Sequence, residues 1–178
     1  MAPLKGATFF GFINKNLYLY SMNIFYINEN PIIAAQELAD DHIRKMQIES
    51  AQMCCTAHWE TGNEAPYKRA HKNHPSTIWA RQSIQHYIWL VEHGLEICNE
   101  FKKRYGKRHK TQDVLEWLLV NHPNIPDIDF VPPPQCMPDE FKGPNTLEAY
   151  KKFYIKDKVG VKGLSWNKLN NQPEWMVV

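Results

Sequence analysis

The chain has 178 residues, 43% of them hydrophobic and 12% aromatic, with 21 Lys and Arg against 19 Asp and Glu. That length holds one domain with a real core rather than two, and the composition excludes a disordered chain. A net charge of +2 gives no ground for a nucleic-acid partner, so only the distribution of charge can argue for one.

Residues 1–21, MAPLKGATFFGFINKNLYLYS, carry apolar patches interrupted by Gly6, Gly11, Asn14, Lys15 and Asn16. They match neither a signal h-region nor a membrane span. They read as an N-terminal extension or as a mis-assigned start, with translation expected from Met22. Residues 22–178 then form a single helical domain, opened by the short extended segment MNIFYI.

Pro31, with Asn30 as N-cap, opens a first long helix over residues 31–58. A loop with Gly62, Pro66 and Pro75 follows. A second long helix spans 76–105, ends at Gly106, and carries an apolar stripe from Tyr87 to Phe101. A short helix starts at Thr111. From His122 to Pro138 proline density predicts an extended strap. A fourth helix covers 146–157, and an irregular tail with Trp166 and Trp175 closes the chain. The expected fold is all-α: a compact bundle of two long and two short helices.

The first helix raises a chemical question. Wound at about 100° per residue, Ala35, Ala39, Ile43, Met46, Ser50, Met53 and Cys54 form a core stripe, and Glu37, Asp40, Arg44 and Gln47 form a wet face. His42, Lys45, Glu49, Gln52 and Thr56 occupy a band roughly 80° wide beside the core. A carboxylate at the core edge with an amine one turn before it suits acid–base or Schiff-base chemistry. The same residues also suit a structural Lys45–Glu49 pair with His42 and Gln52 bonding a neighbouring helix.

Charge is uneven. Residues 68–110 hold ten Lys and Arg against three Glu. Lys68, Arg69, Lys72 and His74 precede a helix start that favours an anion, and Lys102, Lys103, Arg104, Lys107, Arg108 and Lys110 surround a helix end. Either group also reads as an ordinary solvated surface. His71 and His74 have HxxH spacing, but in a loop before a proline, so no metal site is expected. Cys54, Cys55, Cys98 and Cys136 form no paired framework and read as reduced thiols, Cys54 and Cys98 in the core.

Three stretches in order, ELADDHIRKMQIES (37–50), NHPSTIWARQSIQHYIWLVEHGLEICNEFKKRYGK (73–107) and MPDEFKGPNTLEAY (137–150), resemble the phage-type pyrimidine-dimer DNA glycosylases of the endonuclease V type. HKNHP and RYGK resemble a phage branch of that family. The resemblance implies a compact helical protein that kinks double-stranded DNA and flips a nucleotide out. It puts Glu49 on the family's catalytic glutamate and His42 on its helix histidine. The family's nucleophile is the amine of a processed N-terminal threonine, whereas here Asn23 follows Met22 and some nine residues precede the first helix. Gln52 stands where the family has an arginine, and QPEWMVV replaces its basic, aromatic C-terminal stretch.

The expectation is an N-glycosylase acting on a damaged or modified pyrimidine, with AP-lyase activity. Glu49 would stabilise a cationic sugar or move a proton, Lys45 would attack, and His42 and Gln52 would orient the base or sugar. Trp79 and Tyr87 would stack on bases. No cofactor or metal is required, and the protein is expected to be a monomer in the (host) cytoplasm without a membrane contact. Two rivals remain: a non-catalytic nucleic-acid-binding accessory protein of a phage, and an enzyme of modified-nucleotide metabolism.

Overall fold

A computed structural model describes residues 22–176, so the reading of residues 1–21 lies outside the described residues. Among the described residues there are seven α-helices and no strand, an all-α fold as expected. No helix among them is long and apolar enough to cross a membrane.

The expected helix 31–58 is three: α1 (Pro31–Gln36), α2 (Asp40–Ile43) and α3 (Met46–Glu60). Asn30 caps α1 as expected, its Oδ1 accepting from the N–H groups of Ile32 and Ile33. The first break arises because distant side chains satisfy the backbone. Arg104 donates to the carbonyls of Gln36 (2.9 Å) and Leu38 (2.7 Å), and the Trp166 indole donates to that of Glu37 (2.9 Å). The N–H of Ala39 donates to the Tyr154 hydroxyl at 2.8 Å. These groups would otherwise close helical turns. Lys45, at φ −134° and ψ −29°, makes the second break. The core stripe survives both breaks, but Gln47, expected on the wet face, is fully buried and its amide has no partner.

The second expected helix divides into α4 (Pro75–Ala80) and α5 (Ile84–Tyr105). The proline strap docks into the gap: Ile84 N–H donates to the Pro126 carbonyl (2.8 Å), and Ser83 Oγ, the N-cap of α5, bonds Ile128. Gly106 ends α5 at φ +70°, as its position predicts. Residues 122–138 have no regular structure, and Val131 receives the Trp79 indole.

The core forms where α3 and α5 cross, closed by α6 (Gln112–Val120). Gly94 permits that approach, since a Cβ there would come within 2.9 Å of Leu115 and 3.1 Å of Ser50. Thr111 starts α6 without a side-chain cap bond, because its hydroxyl pairs with the Tyr67 hydroxyl at 2.9 Å. All four cysteines are buried and free.

The segment 22–27 is a buried thread, not a regular strand. Phe25 takes a positive φ of 52° and a tight Ile27–Phe25 backbone bond folds the thread back. The last expected helix is α7 (Thr146–Phe153), continued as a π-turn over Tyr154–Val159. Thread and π-turn meet at the α2–α3 break.

Candidate functional site

Because Lys45 lies outside helical geometry, the band His42–Lys45–Glu49 faces a gap rather than a neighbouring helix. The second long helix does not line that gap. Asn23 and Phe25 of the thread, Cys136 of the strap, and Phe153 and Lys158 close the gap instead. It consists of a narrow inner hollow of about 60 Å³ at Glu49 and an outer one of about 560 Å³. His42, Lys45 and Lys158 line both, and Asp41, Arg44, Lys162 and Leu164 complete the outer one.

Glu49 is half-buried at the inner end. Its Oε2 accepts the backbone N–H of Asn23 at 3.0 Å. Burial raises its pKa above the ordinary 4.5, opposed by that N–H and by the nearby charges of Lys45 and Lys158. No ion pair joins Glu49 to Lys45, so the structural i,i+4 pair does not form. Lys45 is exposed at the mouth and pairs with no carboxylate among the described residues.

His42 is buried and stacks on Phe25, ring centroids 4.2 Å apart. Its Nδ1 lies 2.7 Å from the Tyr154 hydroxyl, which already accepts the Ala39 N–H. The economical assignment has Tyr154 donating to Nδ1, leaving the proton on Nε2. Burial, then Lys45 and Lys158, push the His42 pKa down to about 3. This imidazole is therefore a neutral donor at working pH and not a titrating acid.

The remaining expected site residues lie elsewhere. Gln52 lines neither hollow; it sits a turn beyond Glu49, where its carbonyl accepts from Thr56. Trp79 and Tyr87 cannot stack on a base. Trp79 is 3% exposed, stacked on His86 and bonded to Val131, while Tyr87 is fully buried and donates to the Leu118 carbonyl at 3.0 Å. His74 is fully buried and caps α4, its Nδ1 accepting from Ser76, so the helix start expected to hold an anion is already satisfied.

Half of the basic residues at the end of α5 are neutralised by their own protein. Arg104 is buried, bound to Glu100 and Asp40 as well as to the α1 carbonyls. Lys103 pairs with Glu100 (2.7 Å), and Arg108 with Asp113 and Glu116 (both 2.8 Å). Arg69 pairs with Glu60. Lys68, Lys72, Lys102, Lys107 and Lys110 remain exposed with no ion pair among the described residues.

The residues that sequence reasoning missed are Asn23, Phe25, Phe153, Lys158 and Lys162. One signal was available for the lysines: residues 142–168 hold seven Lys against two acids, Glu148 and Asp157. Among the described residues no cluster of His, Cys, Asp and Glu could hold a metal ion. No family model, curated protein or solved structure matches the chain.

Proposed function

We propose that the protein acts on DNA as a pyrimidine-directed N-glycosylase with an associated lyase step, Glu49 being the catalytic carboxylate. One observation carries this reading: a half-buried carboxylate of raised pKa, without a salt-bridge partner, at the floor of a cleft whose mouth holds amines. Burial unpaired costs stability, and such groups concentrate at sites of chemistry. The outer hollow is within the range that holds a small ligand, and the inner one is too small for a base. A flipped nucleotide would enter through the outer hollow with its sugar towards Glu49.

In this reading the C1′–N bond breaks with its electron pair leaving on the base, and the Glu49 carboxylate stabilises the positive charge at C1′. The Lys45 amine attacks C1′, and loss of its proton with opening of the sugar gives the imine that β-elimination requires. Neutral His42 donates from Nε2 to the sugar or base. The main-chain nitrogen of Asn23, 3.0 Å from Glu49, marks a second place for an amine. A chain starting at Asn23 would carry its terminal amine there, where the family resemblance puts the nucleophile.

The test is borohydride trapping on duplexes carrying pyrimidine dimers, abasic sites or modified pyrimidines. A covalent adduct is expected on at least one, together with loss of base release in Glu49→Gln at unchanged duplex affinity. Loss of trapping in Lys45→Ala assigns the amine to Lys45. Trapping that survives Lys45→Ala and is stronger in chains begun at Met22 or Asn23 assigns it to the terminus. Neither adduct nor base release on any duplex sinks the reading.

A further inference from the structure

The mouth of the cleft is more basic than the chemistry of Glu49 needs. Arg44, Lys45, Lys158 and Lys162 line the outer hollow with a single carboxylate, Asp41. Asp41 reaches only Arg44, at 3.7 Å, and Asp157 pairs with Lys158 at 3.1 Å. Lys45 and Lys162 have no carboxylate partner among the described residues.

This clustering is built into the backbone. The π-turn is closed by Gly160 N–H to the Ile155 carbonyl (2.9 Å), and Lys162 N–H to that of Asp157 (2.9 Å). Leu164 N–H donates back to the Lys158 carbonyl at 3.0 Å, and Gly163 supplies a φ of +69° that other residues resist. Lys158 and Lys162 are thereby held on one closed loop. A Cβ at Gly160 would come within 2.7 Å of the Lys156 carbonyl oxygen, so the loop requires glycine there too.

Lys158 is also immobilised. Its Nζ lies 4.6 Å from the centre of the Phe153 ring and 5.8 Å from that of Phe25, and its side chain is only 21% exposed. Ordering a lysine costs rotamer entropy, and like charges gathered in one hollow repel. A π-turn is a rare device that recurs at functional sites.

We propose that this vestibule is a phosphate-binding site, in which Arg44, Lys158 and Lys162 together hold one phosphate group of the substrate outside the inner hollow of Glu49, leaving the Lys45 amine for the sugar. These cations line one hollow, and together their donors match the several oxygens of a single anion. The site deepens the function proposed above, and rests on that reading only for the source of the phosphate. A DNA phosphodiester and the phosphate of a free nucleotide offer the same chemistry.

The experiment uses the full chain and two variants, Lys158→Met, which keeps an unbranched stem over Phe153, and Lys162→Gln on the exposed turn. Duplex DNA affinity is measured over a range of salt, and thermal stabilisation is compared with dTMP and with thymidine. If the phosphate is a strand's, each variant lowers duplex affinity about tenfold at low salt, and the double variant flattens the slope of log K against log salt by about one. If it is a free nucleotide's, duplex affinity is unchanged and the variants abolish the extra stabilisation by dTMP over thymidine. That outcome keeps the phosphate site and removes the DNA-acting function. Should Lys158→Met fail to fold, Lys162→Gln and Arg44→Gln carry the same readouts. The proposal is overturned if folded variants change neither measurement, or if affinity falls with no change in salt dependence.

Discussion

The protein has two concentrations of positive charge that differ in kind. Along the sequence the segment 101–110 is the denser, yet Arg104 is a buried clamp and Lys103 and Arg108 are paired with carboxylates. The cleft at Glu49 draws its cations from positions 44, 45, 158 and 162; Arg44 and Lys158 face carboxylates there too, but all four line one hollow. A cation's availability depends on whether the fold has brought a carboxylate to it. Charge density along the chain is therefore a poor guide to the binding surface.

The largest expected effect separates the two regions by stability. Arg104→Ala should cost about 3–5 kcal/mol, because it leaves the buried Glu100 with only the exposed Lys103 and unties the carbonyls of Gln36 and Leu38. Urea denaturation measures this, and a cost below about 1 kcal/mol would show the segment to be solvated after all.

Acid should act next. His42 and His93 are both pushed to about 3 by burial, with Lys45 and Lys158 contributing at His42. The unfolded chain takes up these protons near 6.5, while the folded chain does not until about 3. The stability they contribute is thus present above pH 6.5 and lost as pH falls, by about 1.4 kcal/mol per pH unit for each imidazole. Denaturation curves between pH 7 and 4 check the slope. A His42 resonance that titrates near 6.5 in the folded protein would contradict the buried cationic neighbourhood, and in Lys158→Met its pKa should rise.

A smaller effect has the opposite sign. Glu49 has a raised pKa in the folded chain, so its contribution to stability is complete at low pH and lost as pH rises through the folded value. Glu49→Gln should therefore leave stability unchanged or raise it by about 1 kcal/mol at pH 8, with no gain at pH 4. A loss of 1–3 kcal/mol instead would identify a structural carboxylate.

The smallest effect belongs to the lysines left unpaired at the end of α5. Replacing Lys102, Lys107 and Lys110 together by Gln should change stability by less than about 0.5 kcal/mol. Duplex affinity, read by titration, should fall less than it does on loss of Lys158 alone. The reverse order would return the DNA surface to the segment that the sequence favours.

The sequence by itself determined the helical class, the Asn30 and Gly106 boundaries, the proline strap and the core stripes, because each depends on residues close along the chain. It also singled out His42, Lys45 and Glu49, whose polarity is out of place beside a core stripe. Local periodicity could not show that Arg104, Trp166 and Tyr154 would take over the backbone groups of 36–39 and break the first helix. Nor could it show that Lys45 would leave the helix, or that Asn23 and Lys158, 26 and 109 residues from Glu49, would close the cleft around it. The placement of Trp79 and Tyr87 in the core was decided in the same way, by carbonyls of the strap and of α6. Those outcomes belong to tertiary structure, since a polar group's partner is set by which distant segment folds against it.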